Sequence, residues 1–266
     1  MNVFRYEFKS GMRGMIWWTV GILATSAMFF ALYPSFTHDV ESSKKLLEGF
    51  PPALRSALDI SFNNFFTFFG FYGYSFTYVS VAGATFGAIL GLGTFSKETR
   101  SKTTDFLLSK PMSRSGIFGA KLSACVAAII ISTIVFVGLD YVLALGMAGD
   151  TIDAGKFVLA ASTLGLIEIW FLALGILLTQ LMPRLRSIVP AALACSFSFL
   201  IISFIAAMAS DDMLKYFSPY KYFDITYITT HNSFDSNYLS VWTVAIIIMI
   251  GISVSLFTRR DAKAAD

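Results

Sequence analysis

Two carboxyl groups, Glu168 and Asp140, are the side chains of clearest chemical interest, because both lie inside long apolar stretches of the chain. An ionised group at bilayer depth costs at least about 2.5 kcal/mol, so such residues are rare and commonly functional. The stretches that hold them contain no Lys or Arg that could pair with either acid. Each carboxyl group must therefore be neutral and hydrogen-bonded inside a helix bundle, which is a structural role, or face a wet cavity on a substrate or ion pathway.

The sequence contains no recognisable motif for catalysis or nucleotide binding. Its two histidines, His38 and His231, fall in segments predicted to lie outside the membrane, so neither an HExxH motif nor a Ser-His-Asp triad can form within it. Residues 148–157, AGDTIDAGKF, come nearest to a phosphate-binding loop, but Asp150 replaces the first glycine and Phe157 replaces the Ser or Thr that would bind Mg²⁺. We therefore expect no ATPase motif, no catalytic residue, no metal site and no bound cofactor in this chain.

The composition predicts the fold class. Mean hydropathy is +0.68 and only 14% of the residues are charged, which is outside the range of a soluble domain of 266 residues. A helix of about 20 apolar residues crosses a hydrocarbon core, and the apolar stretches lack the alternation of barrel strands. We expect an all-α integral membrane protein, a single transmembrane domain over residues 1–266. Its six predicted spans are 15–33, 71–95, 122–147, 157–181, 187–209 and 239–258.

The distribution of Lys and Arg predicts how these spans are oriented, because basic residues accumulate on the cytoplasmic side of short loops. With the N-terminus inside, fourteen basic residues lie on its side: Arg5, Lys9, Arg13, Lys97, Arg100, Lys102, Lys110, Arg114, Lys121, Arg184, Arg186, Arg259, Arg260 and Lys263. The opposite side keeps six: Lys44, Lys45, Arg55, Lys156, Lys215 and Lys221. Both termini are therefore predicted to be cytoplasmic.

Segments beside the spans predict interfacial helices. Arg5, Lys9 and Arg13 recur every fourth residue before the first span, which indicates an N-terminal interfacial amphipathic helix. Residues 210–238 hold eight Phe or Tyr, and they are too polar to cross the membrane and too aromatic for a free linker. We expect short interfacial or re-entrant helices there, before the last span. The aromatic run 62–76 suits a belt at the outer headgroups, with a hydrophobic substrate exit as the alternative.

A glycine repeat in the second span predicts close helix packing. Gly83, Gly87 and Gly91 are spaced by four residues and so lie on one face of a helix. Glycine at this spacing lets another helix approach closely, either within the same subunit or across a dimer.

A polar and basic island, residues 97–121, separates the second span from the third and reads KETRSKTTDFLLSKPMSRSGIFGAK. It resembles the signature that follows the second span of ABC-2 type transporter permeases, and Lys97 stands where members often have a second acid. The matching residues are Glu98, Lys102, Thr103, Thr104, Phe106, Leu107, Leu108, Ser109, Pro111, Ser113, Arg114 and Lys121. The number of spans, the N-terminal amphipathic helix, the long first external loop and the segment SPYKYFD at 218–224 extend the resemblance over the whole chain.

The resemblance implies a permease subunit in a cell membrane, expected to be a bacterial plasma membrane. This subunit would form the pathway for ATP-driven export of a hydrophobic or amphipathic solute or peptide. It would pair with a second permease chain, as a homodimer or a heterodimer, and with two copies of an ATP-binding cassette subunit that uses ATP and Mg²⁺. No nucleic-acid partner is expected, since the basic residues are spread over four segments.

The same resemblance implies a role for residues 96–121 as an ATPase-coupling segment. A short helix through 103–109 would present Phe106, Leu107 and Leu108 to a groove on the ATPase, and Pro111 would end it. Arg114 and Lys121 would anchor the next span at the inner headgroups.

Two other classes of protein remain open. An ion-coupled secondary transporter would use Glu168 as its proton or cation site and would follow a gradient without any ATPase. A membrane scaffold or sensor subunit would keep the ATPase contact but transport nothing, so changing Glu168 or Asp140 would leave it unaffected.

Overall fold

The computed structural model describes residues 3–37, 40–41, 44–45, 49–51, 65–101, 112–148, 152–182, 187–209 and 212–259. Helices joined by short turns make up this part of the chain, and no strand occurs among the described residues, as predicted. The elements in chain order are α1 Val3–Thr37, α2 Phe68–Arg100, α3 Arg114–Ala148, α4 Ala154–Leu181, α5 Ile188–Ala209, α6 Asp212–Lys215, a 3₁₀ helix Pro219–Lys221, α7 Ile225–His231 and α8 Ser236–Arg259.

Six of the described helices, α1 to α5 and α8, are long and apolar enough to cross a membrane, which confirms the predicted number of spans. The structure joins the amphipathic N-terminal segment and the first span in one continuous helix, α1. This helix runs past Pro34 for one further turn, because a proline near the C-terminal end removes one backbone donor without ending the helix at once.

Side chains at the helix ends explain several of the boundaries. The carboxylate of Asp153 accepts hydrogen bonds from the backbone N–H groups of Gly155 and Lys156 and so starts α4. Asp224 caps α7 in the same way. Asn232 ends α7 in the left-handed conformation, with φ of 56°, which asparagine tolerates better than most residues.

Helices α2 and α4 run side by side through the centre of the bundle. In the most apolar 18-residue stretch of each helix, two thirds of the residues are buried. The glycine repeat of α2 lies at this contact. A Cβ atom at Gly91 would lie 2.5 Å from the carbonyl oxygen of Leu172, and one at Gly175 of α4 would lie 2.8 Å from that of Ala88. At Gly87 the added atom would overlap the backbone of Glu168. The two backbones therefore touch, within one chain, in a way that only glycine permits.

The other long helices surround this pair. Helix α1 packs on α3, where the hydroxyl groups of Thr19 and Ser132 lie 2.7 Å apart. Helix α8 packs on α4, and the indole N–H of Trp242 donates to the carbonyl oxygen of Leu166 at 3.0 Å. Helices α5 and α8 keep most of their apolar surface exposed, as expected for helices that face lipid or another chain.

We call one end of the bundle the aromatic end; it comprises the last turns of α1 and α3 and the first turns of α2, α4 and α8. Many of its rings pack against one another instead of pointing outward. Tyr72 is 1% exposed and lies 5.9 Å from Phe30 and 5.0 Å from Phe157, measured between ring centroids. Part of the aromatic run is thus core between α1, α2 and α4, a use that neither the belt nor the substrate exit describes.

The short helices that were expected before the last span are present and cover this end of α2, α4 and α5. The hydroxyl of Tyr220 donates to the carbonyl oxygen of Ser196 in α5 at 3.2 Å. The hydroxyl of Tyr222 donates to the carbonyl oxygen of Tyr216 at 2.6 Å, and burial raises the pKa of Tyr222 to about 12. The first bond holds the segment against α5, and the second is internal to the segment.

Substituting Gly87→Ala tests the backbone contact between α2 and α4. Because the new methyl group overlaps the backbone of Glu168, the helices must separate, and we expect a loss of about 1–3 kcal/mol of stability. Thermal unfolding of the purified protein in detergent measures this loss. Gly138→Ala is the matched control, since a Cβ atom there would have no atom of the described residues within 4 Å and alanine favours a helix. Equal melting temperatures for the two variants would contradict the contact.

Candidate functional site

Four charged side chains form an ion network at the opposite end of the bundle, which we call the basic end. It comprises the first turns of α1 and α3 and the last turns of α2 and α8. At its centre lies Lys121 of α3, whose side chain is only 1% exposed. The Lys121 ammonium donates to Glu98 Oε1 at 2.5 Å and to the carbonyl oxygen of Thr94 at 2.7 Å, both in α2. A buried ammonium group requires this kind of partner set.

Glu7 of α1 connects the first helix to the same network. Its Oε1 atom lies 3.6 Å from Lys121 Nζ and its Oε2 atom lies 3.3 Å from Lys97 Nζ. The Lys97 ammonium also lies 4.4 Å from the ring centroid of Tyr6, within the range of a cation–π contact. Two acids and two bases therefore balance one another and join α1, α2 and α3 at one level.

A further contact holds the start of α3 to the end of α8. Arg114 Nη1 donates to the carbonyl oxygen of Thr258 at 3.0 Å, which places a cation at the C-terminal end of a helix, where the helix dipole favours it. The rings of Phe95, Phe118 and Phe257 pack beside this bond. Both chain segments that flank residues 102–111 are thus anchored in the bundle.

Some of the predicted coupling residues lie in the described ends of α2 and α3, and the others lie outside the described residues. Glu98, Arg114 and Lys121 have the contacts given above. The others lie outside the described residues: Lys102, Thr103, Thr104, Phe106, Leu107, Leu108 and Pro111.

The expected role of Lys121 as a headgroup anchor is corrected by these contacts. Its ammonium group is enclosed by α1, α2 and α3 and is almost completely buried. The physical reason is that two carboxylates and a backbone carbonyl replace the water that a snorkelling lysine would seek.

Asp140 of α3 lies near the aromatic end and is completely buried. Its two oxygens accept hydrogen bonds from two other helices, from the hydroxyl of Ser26 in α1 at 2.5 Å and from that of Tyr72 in α2 at 3.0 Å. Of the two alternatives for this residue, the geometry favours the hydrogen-bonded structural role, because both oxygens already have donors.

Glu168 of α4 is as deeply buried as Asp140 but lacks the hydrogen bonds that Asp140 has. It is 0% exposed, and among the residues that the structure describes no hydrogen-bond partner reaches either carboxyl oxygen. A Cβ atom built at Gly83 would lie 3.2 Å from Glu168 Oε1, so the carboxyl group lies against the glycine face of α2. A buried polar group without a partner is costly and is a common mark of function.

Sequence reasoning missed Glu7, Ser26 and Tyr72 as partners of the buried charges. A signal for the first two exists along α1, where Val3, Glu7, Met15, Thr19, Ile22, Ser26 and Phe30 form one buried stripe at helical spacing. An acid in that stripe, between exposed basic residues, indicates a buried ionic partner. Tyr72 has no comparable signal, because its hydroxyl is one of many in an aromatic segment.

Replacing Lys121 with methionine tests the ion network. The substitution keeps the length of the side chain but leaves Glu7 and Glu98 together without their shared cation, so we expect a loss of about 3–5 kcal/mol. Thermal unfolding in detergent measures the effect, and Lys9→Met on the exposed face of α1 is the control. A Lys121→Met protein as stable as the control would show that the network contributes nothing.

Ser26→Ala tests the hydrogen bond to Asp140. One buried carboxyl oxygen loses its donor, which is expected to cost about 1–3 kcal/mol. Ser198→Ala in α5 is the matched control, since the Ser198 hydroxyl is exposed and donates within its own helix, to the carbonyl oxygen of Ala194. The two proteins are compared by thermal unfolding in the same detergent; indistinguishable curves would count against the proposed tie between α1 and α3.

Comparison with known proteins identifies the family of this six-helix chain. No curated protein and no solved structure matches the chain. A family model described as ABC-2 family transporter protein matches residues 1–262. The chain belongs to the ABC-2 family of transporter proteins and is a permease subunit of an ABC transporter.

Proposed function

We propose that this permease forms the translocation pathway for ATP-driven export of a hydrophobic or amphipathic solute or peptide, in a bacterial plasma membrane. ATP and Mg²⁺ would be used by a separate ATP-binding cassette subunit. The observation that carries the proposal is the ion network of Glu7, Lys97, Glu98 and Lys121, because it lies at the base of the segment predicted to contact that ATPase.

In this proposal the basic end is the cytoplasmic end. Helix α2 ends there at Arg100 and α3 begins there at Arg114, within the predicted coupling segment, and the positive-inside rule favours the same side. Leu107 and Leu108, predicted from the sequence to be exposed apolar residues, would insert in a groove of the ATPase.

The network would pass the movement of the ATPase to three helices at once. When two ATPase subunits close on ATP, the coupling segment would be displaced, and its ends are held by Lys121 on α3 and Glu98 on α2. Glu7 links the same charges to α1, so α1, α2 and α3 would shift together. Breaking such a network costs several kcal/mol, so moving the three helices together requires less free energy than moving one of them alone.

The proposed assembly contains two ATPase subunits and a second permease chain. The apolar faces that α5 and α8 leave exposed offer surface for lipid and for such a chain. The large apolar residues exposed on these two helices are mostly aliphatic.

A second candidate function, a gradient-driven carrier, is supported by one observation. Glu168 lies near the middle of α4 without a hydrogen-bond partner among the described residues, which is a common setting for a proton or cation site. This carrier would need no ATPase, so a test for the ATPase separates the two functions.

Purifying the tagged permease from its native membrane in mild detergent tests the ATPase partner. We expect an ATP-binding cassette subunit to co-purify, and Leu107→Asp with Leu108→Asp to lose it, because a carboxylate in an apolar groove is strongly unfavourable. Phe217→Asp is the control for an added charge, since Phe217 is an exposed apolar residue at the aromatic end. If the intact permease is purified and no ATPase co-purifies with it, the result would favour the gradient-driven carrier.

A further inference from the structure

The three basic residues at the start of α1 form a row on the outside of the bundle. Arg5, Lys9 and Arg13 recur every fourth residue, and all three side chains are exposed. At 3.6 residues per turn they lie on the face of α1 opposite its buried stripe. The ion pairs of the described chain involve other residues, so this row has no ionic partner among them.

Polar contacts between α1 and α3 show how deep this row lies. Three of them have been described: Glu7 with Lys121, Thr19 with Ser132, and Ser26 with Asp140. In each contact the two residues are 113 or 114 positions apart in the chain, so the two helices run parallel in constant register. Arg13 is therefore level with Ala127 of α3, about 9 Å deeper along the bundle than Glu7.

The surface around Arg13 is already apolar at that level. Residues 124–131 of α3 read ACVAAIII and contain no charged or hydroxyl-bearing side chain. Along the exposed face of α1, Arg13 is followed by Ile16, Trp17 and Val20, which are 50%, 75% and 50% exposed. Arg13 thus lies where the apolar surface of the span begins, and Lys9 lies one turn farther out. A cation at this depth requires an anion beside it or a path to the headgroups.

We propose that Lys9 and Arg13 bind the phosphate of an anionic phospholipid, with Trp17 packed against the glycerol and upper acyl region of the same lipid. The i, i+4 spacing lets both basic side chains reach one phosphate group, and a guanidinium can donate two parallel hydrogen bonds to it. Tryptophan favours this level of a bilayer, because its ring is apolar and its N–H group needs a polar partner. Arg5 adds a third positive charge, so a lipid with net negative charge is favoured over a zwitterionic one.

A lipid fits this row better than an acidic surface of the ATPase does. The predicted ATPase contact lies between α2 and α3, whereas Lys9 and Arg13 lie on the face of α1 that points away from the bundle. The row also continues directly into an apolar face, and a charged headgroup above acyl chains matches that order. The inference needs only the membrane-spanning fold and does not depend on the proposed transport function.

Quenching of Trp17 fluorescence by brominated lipids tests the proposal. Trp18, Trp170 and Trp242 are replaced with phenylalanine, and the protein is reconstituted in vesicles of phosphatidylcholine and phosphatidylglycerol. The bromine atoms are carried by one lipid or by the other, so the two quenching curves give the relative binding constant of the two lipids beside Trp17. Arg259→Gln is the matched control for Arg13→Gln, since Arg259 is an exposed basic residue at the same end of the bundle.

We expect phosphatidylglycerol to be favoured on the order of tenfold beside Trp17, because each basic residue near an anionic lipid strengthens its binding about fivefold. Arg13→Gln should lower this preference about fivefold, and Arg259→Gln should leave it unchanged. Equal binding of the two lipids, or a preference that survives Arg13→Gln, would overturn the proposal. Quenching by neither lipid would also overturn it, because it would show that protein covers this face.

A second measurement does not require the tryptophan replacements. In mixed micelles, phosphatidylglycerol should raise the melting temperature of the wild-type protein and of Arg259→Gln more than the same amount of phosphatidylcholine does. Arg13→Gln should respond equally to both lipids, and an equal response of the wild-type protein would contradict the site. If Arg13→Gln instead loses the co-purifying ATPase and no lipid preference is found, the row contacts the ATPase and the lipid site is wrong.

Discussion

A charge that is removed from water needs a partner, and this requirement organises the interior of the bundle. Lys121 meets it with Glu98 and Glu7 at the basic end. Asp140 meets it with two hydroxyl groups from other helices near the aromatic end. Both clusters link α1, α2 and α3, so the buried charges fix how these helices pack where apolar side chains alone would allow other arrangements.

Glu168 is the exception to this rule among the buried acids of the described chain. It lies between the two clusters, at a contact where glycines let the backbones of α2 and α4 touch. The two ends of the bundle are thus joined by polar contacts, whereas its centre is joined by glycine packing around an acid that has no hydrogen-bond partner among the described residues.

Much of the fold follows from the sequence, because a span is a local property. Apolar stretches of sufficient length predicted all six long helices, and the glycine spacing predicted a face for close packing before the partner helix was known. The pairing of charges could not be predicted, since Glu7 and Lys121 are far apart in sequence and meet only after three helices pack. The aromatic run 62–76 was equally ambiguous, because a ring in a belt and a ring in the core have the same residue type.

The most direct test of ATP-driven coupling through the ion network is the ATP hydrolysis rate of the permease and ATPase complex reconstituted in lipid. The comparison needs wild type, Glu7→Gln, Lys97→Gln and the double variant. If the network transmits force as a unit, each single variant loses the hydrolysis that depends on the permease, and the double variant loses no more than either one. Wild-type rates in all of the variants, with the complex intact, would contradict transmission through the network.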